Sequence, residues 1–125
     1  IITATASKEY LLSENDILDG THINAVGSDT VGKRELGPGI IKKADLVIAD
    51  SIVQCKERGE IACAIEDGDT TTDNIFELGD VLSGKVQGRE LDSQITVCDL
   101  TGVSVQDIKI ATAVFNKYME KKNEI

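Results

Sequence analysis

At 125 residues the chain has the length of one domain, which excludes a large two-domain enzyme. Hydrophobic residues make up 41% and charged residues 28%, a balance that excludes a disordered chain. The 22 acidic residues outnumber the 13 basic ones, and the net charge of -9 repels phosphate backbones and anionic lipid, so neither nucleic acid nor membrane is expected as a partner.

The opening Ile1 to Ala6 is β-forming and starts with no cap and no Met, so the chain reads as cut out of something longer. A second β segment, His22 to Val26, runs into a glycine-bearing loop from Gly27 to Lys33. Pro38 suits the first turn of a brief helix through Lys43. Asp45 to Asp50 is an apolar run bounded by carboxylates, the pattern of a strand buried on both faces of a parallel sheet. Glu60 to Ile65 and Ile75 to Leu82 read as short helices ended by Gly68 and Gly84. A fourth strand, Gln94 to Cys98, precedes the turn Asp99 to Gly102. From Ser104 to Lys121, Val105, Ile108, Ala111, Phe115 and Tyr118 recur at helical spacing, with Ser104 and Asp107 as a capping box. Ile110 and Val114 widen that apolar face, which predicts a helix covered on more than one side.

The fold class expected is α/β: a partial Rossmann-like parallel sheet, the carboxyl-terminal half of a doubly wound NAD(P)-binding domain, over 1–103, with a long helix over 104–125 that is expected to pack back on a missing amino-terminal domain. With aromatic residues at 3% and no Trp, the core is built from aliphatic side chains and no stacking platform for bases exists. Cys55, Cys63 and Cys98 show neither a disulfide framework nor zinc spacing, so they read as reduced thiols in a cytoplasmic protein with no metal. No run reaches the length of a membrane span.

In open parallel sheets, ligands sit at the carboxyl ends of the strands, where loops and helix starts present free N–H groups. Three such ends are candidates: Thr3, Ala4 and Thr5; the loop from Gly27 to Lys33; and the turn at Asp99 to Gly102. In the loop, two glycines admit a flat ligand, Asp29 offers a base and Lys33 a cation. The plainer alternatives stay open: Asp29 serves a turn, and Lys33, Arg34 and Glu35 form a solvated charge run. The lone His22 is read as a hydrogen-bonding residue, Glu66, Asp67 and Asp69 as a solvent-facing loop, and Asp92 with Ser93 as a turn. The residues alone lead to an α/β ligand-binding domain.

The run from His22 to Leu36, His-Ile-Asn-Ala-Val-Gly-Ser-Asp-Thr-Val-Gly-Lys-Arg-Glu-Leu, closely resembles the central signature of the ornithine cyclodeaminase and mu-crystallin family. Thr3 to Ser7, Glu77 to Gly84 and Ile95 to Asp107 resemble three further family segments in the same order and spacing, so the likeness extends over essentially the whole chain. The resemblance implies an NAD- or NADP-dependent enzyme converting an amino acid, its small-molecule substrate, through an imine, by cyclodeamination of ornithine or oxidative deamination of alanine. It implies Asp29 as the catalytic carboxylate, Thr3, Ala4, Thr5, Val26, Gly27 and Lys33 beside the cofactor, and Thr101 and Gly102 along the substrate. Leu100 stands where the family has a serine that bonds the nicotinamide amide, and Cys98 where it has a phenylalanine. Asp99, where cyclodeaminases often carry lysine, leans toward the archaeal alanine dehydrogenase pattern. The family's Gly-rich pyrophosphate turn and amino-terminal domain have no counterpart here, so the chain is expected to be a fragment that binds NAD negligibly and is inactive alone. The open edge at Ile1 to Thr5 adds the expectation of a homo-oligomer. A non-catalytic binding or oligomerisation domain retaining the scaffold is the alternative.

Overall fold

Aliphatic runs bounded by carboxylates and glycines become five parallel strands in the computed structural model, which describes residues 1–123. The strands are β1 (Ile2–Thr3), β2 (His22–Ala25), β3 (Leu46–Ala49), β4 (Ile75–Glu77) and β5 (Thr96–Asp99), in the order β1-β2-β5-β3-β4. The last strand thus lies in the middle, pairing Val97 with Ile23 on one side and with Val47 on the other. Helices α1 (Ile40–Lys43), α2 (Ile52–Cys55), α3 (Glu60–Glu66) and α4 (Leu78–Leu82) fill the crossovers, and α5 (Ser104–Asn123) ends the chain. The α/β class, the parallel sheet and the long final helix are those the sequence predicts.

Side chains alternate across each strand, so β3 feeds two cores. Val47 and Ala49 join Ile23, Ala25 and Val97 under α1 and α3, packed against Ile40, Ile41, Ile61 and Ala64. Leu46 and Ile48 join Cys98 on the other face, covered by Leu78 and Val81 of α4 and by Leu100. The burial of β3 on both faces follows. Cys98 fills that second core, and burial pushes its thiol up to about 11.

Several boundaries differ from expectation. Residues 75–82 are not one helix: Ile75 and Phe76 pair with Val47 and Ile48 as an edge strand, and the helix begins only at Leu78. The sheet therefore has five strands and not four. Pro38 lies outside α1, because Gly39 takes the cap position in the left-handed region at φ 87° and the helix starts at Ile40. The first segment contracts to two paired residues at the sheet edge, with Ile1 and Ile2 exposed. Helix α2 was not predicted. Helix α5 leaves Val105, Ile108, Ile110, Val114, Phe115 and Tyr118 exposed within this chain. Of the helix expected over 104–125, residues 124 and 125 lie outside the described residues.

Candidate active site

Parallel strands place their carboxyl ends on one rim, and the strand order sets the turn after β5 between the loops after β2 and β3. Val26 N–H donates to Thr3 O at 2.8 Å, and Leu100 N–H donates to Ala25 O at 2.8 Å. The three strand ends singled out in the sequence are therefore adjacent along the rim. Ala4 and Thr5 are exposed there, as are Val26 and Gly102.

Asp29 stands on the loop after β2, its side chain half-exposed. Lys33 Nζ donates to Asp29 Oδ1 at 2.6 Å and Thr30 Oγ1 donates to the same oxygen at 2.9 Å. These two donors, Lys33 first, hold the carboxyl below the usual range, so it is ionised at neutral pH. Oδ2 has no hydrogen bond among the described residues and is free to take a proton. The loop is not a solvated charge run: Arg34 pairs with Asp67, and Glu35 is fully buried. Nor are the acids after α3 loose, since Asp67 holds Arg34 and Asp69 accepts from Gly39 N–H. His22 is hydrogen-bonded, its Nδ1 2.7 Å from Thr96 Oγ1.

Beneath the rim lies a row of buried acids to which the sequence assigns no shared structural role. Glu35 accepts from Thr5 N–H at 2.5 Å and from Gly27 N–H at 3.0 Å. Burial opposes its charge, but the Thr5 N–H, the neighbouring Thr3 and Thr5 hydroxyls and the Gly27 N–H together outweigh burial and hold the carboxyl below the usual range. Glu60 accepts from the N–H groups of Glu35 and Leu36 at 2.7 and 2.9 Å. Burial, with the Glu35 charge beside it, raises the Glu60 carboxyl. Asp99 accepts from Ile61 N–H at 2.9 Å, and burial, with the charges of Glu60 and Asp50, pushes it up to about 7. Asp50 closes the row: its Oδ1 accepts from Thr101 Oγ1 at 3.1 Å and its Oδ2 from Gly102 N–H at 2.7 Å. Thr101 is buried and spends its hydroxyl on Asp50, so what this turn presents to a ligand is main chain and the open face of Gly102.

Two glycines are dictated by this row. Gly59, at φ 94°, caps α3 directly over Asp99, and a Cβ there would stand 2.5 Å from Asp99 Oδ2. A Cβ on Gly27 would collide with Thr5 O and the Glu35 carboxylate. The signal for Asp50 was present in the sequence, since the carboxylates bounding β3 both clamp β5: Asp45 accepts from Ile95 N–H at 2.7 Å, at the opposite end from Asp50. Burial pushes the Cys55 thiol, beside Asp99 and Asp50, far above its ordinary value, which leaves it inert.

Two cavities open beside the rim. One, of about 190 Å³, lies between Lys33 and α3 and is lined by Lys8, Arg34, Arg58 and Cys63. The other, of about 310 Å³, lies between Asp50, Leu78 and Gly79 on one side and Val103 and Gln106 on the other. At the end of β1, Thr3 Oγ1 is buried beside Glu35 without a hydrogen bond of acceptable geometry. An orphaned hydroxyl next to the exposed Ala4 and Thr5 main chain fits a polar ligand laid across this strand end. Among the described residues no cluster of His, Cys, Asp or Glu could hold a metal ion, and no helix is long and apolar enough to cross a membrane.

Known proteins share this fold. Alanine dehydrogenase of Archaeoglobus fulgidus is 37% identical over 122 residues, 97% of this chain and 38% of the relative. An archaeal alanine dehydrogenase dimer with bound NAD superposes with a TM-score of 0.90 at 36% identity, over 97% of this chain and 38% of that one. Iminosuccinate reductase of Paracoccus denitrificans in complex with NAD+ superposes with a TM-score of 0.91 at 37% identity, over 98% of this chain and 37% of that one. The chain thus spans well under half the length of the relatives it matches. With its residues 1–122 matching the family description, this chain belongs to the ornithine cyclodeaminase/mu-crystallin family.

Proposed function

We propose that the protein to which this chain belongs is an NAD- or NADP-dependent enzyme that converts a small amino acid through an imine, with Asp29 as its catalytic carboxylate. The observation that carries this reading is the half-exposed Asp29 at the rim, kept ionised by Lys33 with one oxygen unengaged. When bound, the dinucleotide supplies the hydride acceptor and donor. Thr3, Ala4, Thr5, Val26 and Gly27 hold it through the main chain of the first two strand ends and the free Thr3 hydroxyl, and Lys33 stands on the same loop. Asp29 Oδ2 takes a proton from the substrate amine or an attacking water and later returns one, while Lys33 keeps the carboxylate oriented. Thr101 and Gly102 line the substrate with main-chain groups that Asp50 fixes.

The segments that grip the pyrophosphate and the substrate carboxylate belong, in this reading, to a part of the protein outside these residues, on which α5 packs; the whole assembles as a homo-oligomer. The similarity to both an alanine dehydrogenase and an iminosuccinate reductase supports an amino or imino acid as the substrate class. The test is Asp29→Asn in the full-length enzyme. The amide keeps the shape but cannot act as a base, so turnover falls by about 10³-fold or more while NAD affinity, read by calorimetry, changes less than about threefold. Undiminished turnover removes Asp29 from the chemistry.

A further inference from the structure

We infer that Glu35 is a positioning residue that locks the cofactor-facing end of β1 to the Asp29 loop from beneath the rim. The two segments belong to different strands and meet at one carboxylate: Oε1 accepts from Thr5 N–H and Oε2 from Gly27 N–H. Only an ionised carboxylate offers two acceptor oxygens at this spacing. Glutamine would satisfy one N–H and present its amide donor to the other, and aspartate is one methylene shorter. Gly27 gives up its side chain to the same contact, because a Cβ would occupy the space of the carboxylate.

Glu35 is itself immobilised. Its own N–H and that of Leu36 are held by the two oxygens of Glu60, and its carbonyl accepts from Leu11 N–H at 2.7 Å, so the acid cannot shift without α3 and the segment before β2. No cation lies within ion-pair distance of it among the described residues. A buried charge held by main-chain N–H groups and neighbouring hydroxyls, with no cation beside it, is a costly way to join two loops, and it stands where the geometry of a reaction has to be fixed. Asp29 lies two residues beyond Gly27, and the exposed Ala4 one residue before Thr5, so a displacement of either N–H moves the carboxylate relative to the ligand laid on β1. The inference rests on the reading of Asp29 as the catalytic carboxylate.

The experiment uses the full-length enzyme carrying Glu35→Gln, with Ile41→Ala, a core truncation in α1, as the reference for lost stability. NAD affinity by calorimetry, kcat and the melting temperature are measured for both, well below either melting temperature. Glu35→Gln is expected to weaken NAD binding about tenfold and to lower kcat at least tenfold, whereas Ile41→Ala melts lower with both constants within about twofold of the parent. If Glu35→Gln fails to fold, Glu35→Asp is measured in the same way with the same expectation. A Glu35 variant that only melts lower, with both constants kept, overturns the positioning role. Asp29→Asn measured alongside separates the two readings: turnover retained there defeats the catalytic assignment, whereas turnover lost there with Glu35 variants behaving like Ile41→Ala defeats the inference alone.

Discussion

Along the sheet rim, main-chain N–H groups of the strand ends, of the loop after β2 and of the start of α3 are taken up by Glu35, Glu60, Asp99 and Asp50, all from this chain. In α5, a helix of 20 residues, the reverse holds: its hydrogen bonds are its own, and Ile108, Ile110, Val114, Phe115 and Tyr118 are left exposed within this chain. The rim carries its order within itself, whereas the exposed apolar face of the helix has no such support within this chain. A lone helix of this length is marginal in water, and an amphipathic one gains most of its stability from a packed face. The boundary between main chain braced by this chain's own acids and a helix left bare therefore falls close to Gly102.

The sharpest way to break the comparison is to empty the row of acids. Glu60→Ala strands two buried N–H groups, those of Glu35 and Leu36, and is expected to destabilise the protein by about 3–5 kcal/mol in urea unfolding, with the fastest gain in hydrogen exchange at those two amides. Protection unchanged at Glu35 and Leu36 would show that Glu60 does not hold them.

A smaller effect concerns Asp99, whose folded carboxyl sits at about 7, above its ordinary 3.8. Between roughly pH 4 and 7 the folded state then binds more protons at this group than the unfolded chain, so its contribution to stability is full at the acid end of that window and is lost as the pH rises through it, by up to about 1.4 kcal/mol per pH unit. Asp99→Asn keeps an acceptor for Ile61 N–H without the charge and is expected to flatten the dependence of the melting temperature on pH across that window. A variant with the parent's slope would assign the dependence elsewhere.

The smallest effect belongs to the helix. Phe115→Lys in the 125-residue chain is expected to change stability by less than about 0.5 kcal/mol, as surface substitutions do, and to cost several times more in the whole protein, where the face is covered. Equal, small changes in both would mean that the face stays bare.

Much of the scaffold was legible because burial leaves a pattern. The apolar run from Leu46 to Ala49 announced a strand sealed on both faces, and Gly68 after α3 sits at φ 78° as a helix stop should. Residues 75–82 misled because a short apolar run fits a buried strand and a helix equally, and only pairing with β3 decides between them. Helix α2, four residues of Ile-Val-Gln-Cys, has too little length to show a period. Asp29 and Lys33 could be picked out by turn chemistry and by likeness. The bracing roles of Glu35, Glu60 and Asp99 could not, for an acid in a sequence looks solvated until the N–H groups that receive it are known, and those come from residues distant in the chain. Arg34 and Asp67 hid their pairing in the same way.

The placement of β5 between β2 and β3 has a consequence for how the protein is made. Until its last strand leaves the ribosome, a nascent chain lacks the strand that joins β2 to β3, so the apolar faces of both stay unsealed. Assembly waits for synthesis to pass Asp99, and during that wait the half-built sheet is a client for chaperones and a target for misassociation with its neighbours on the same message.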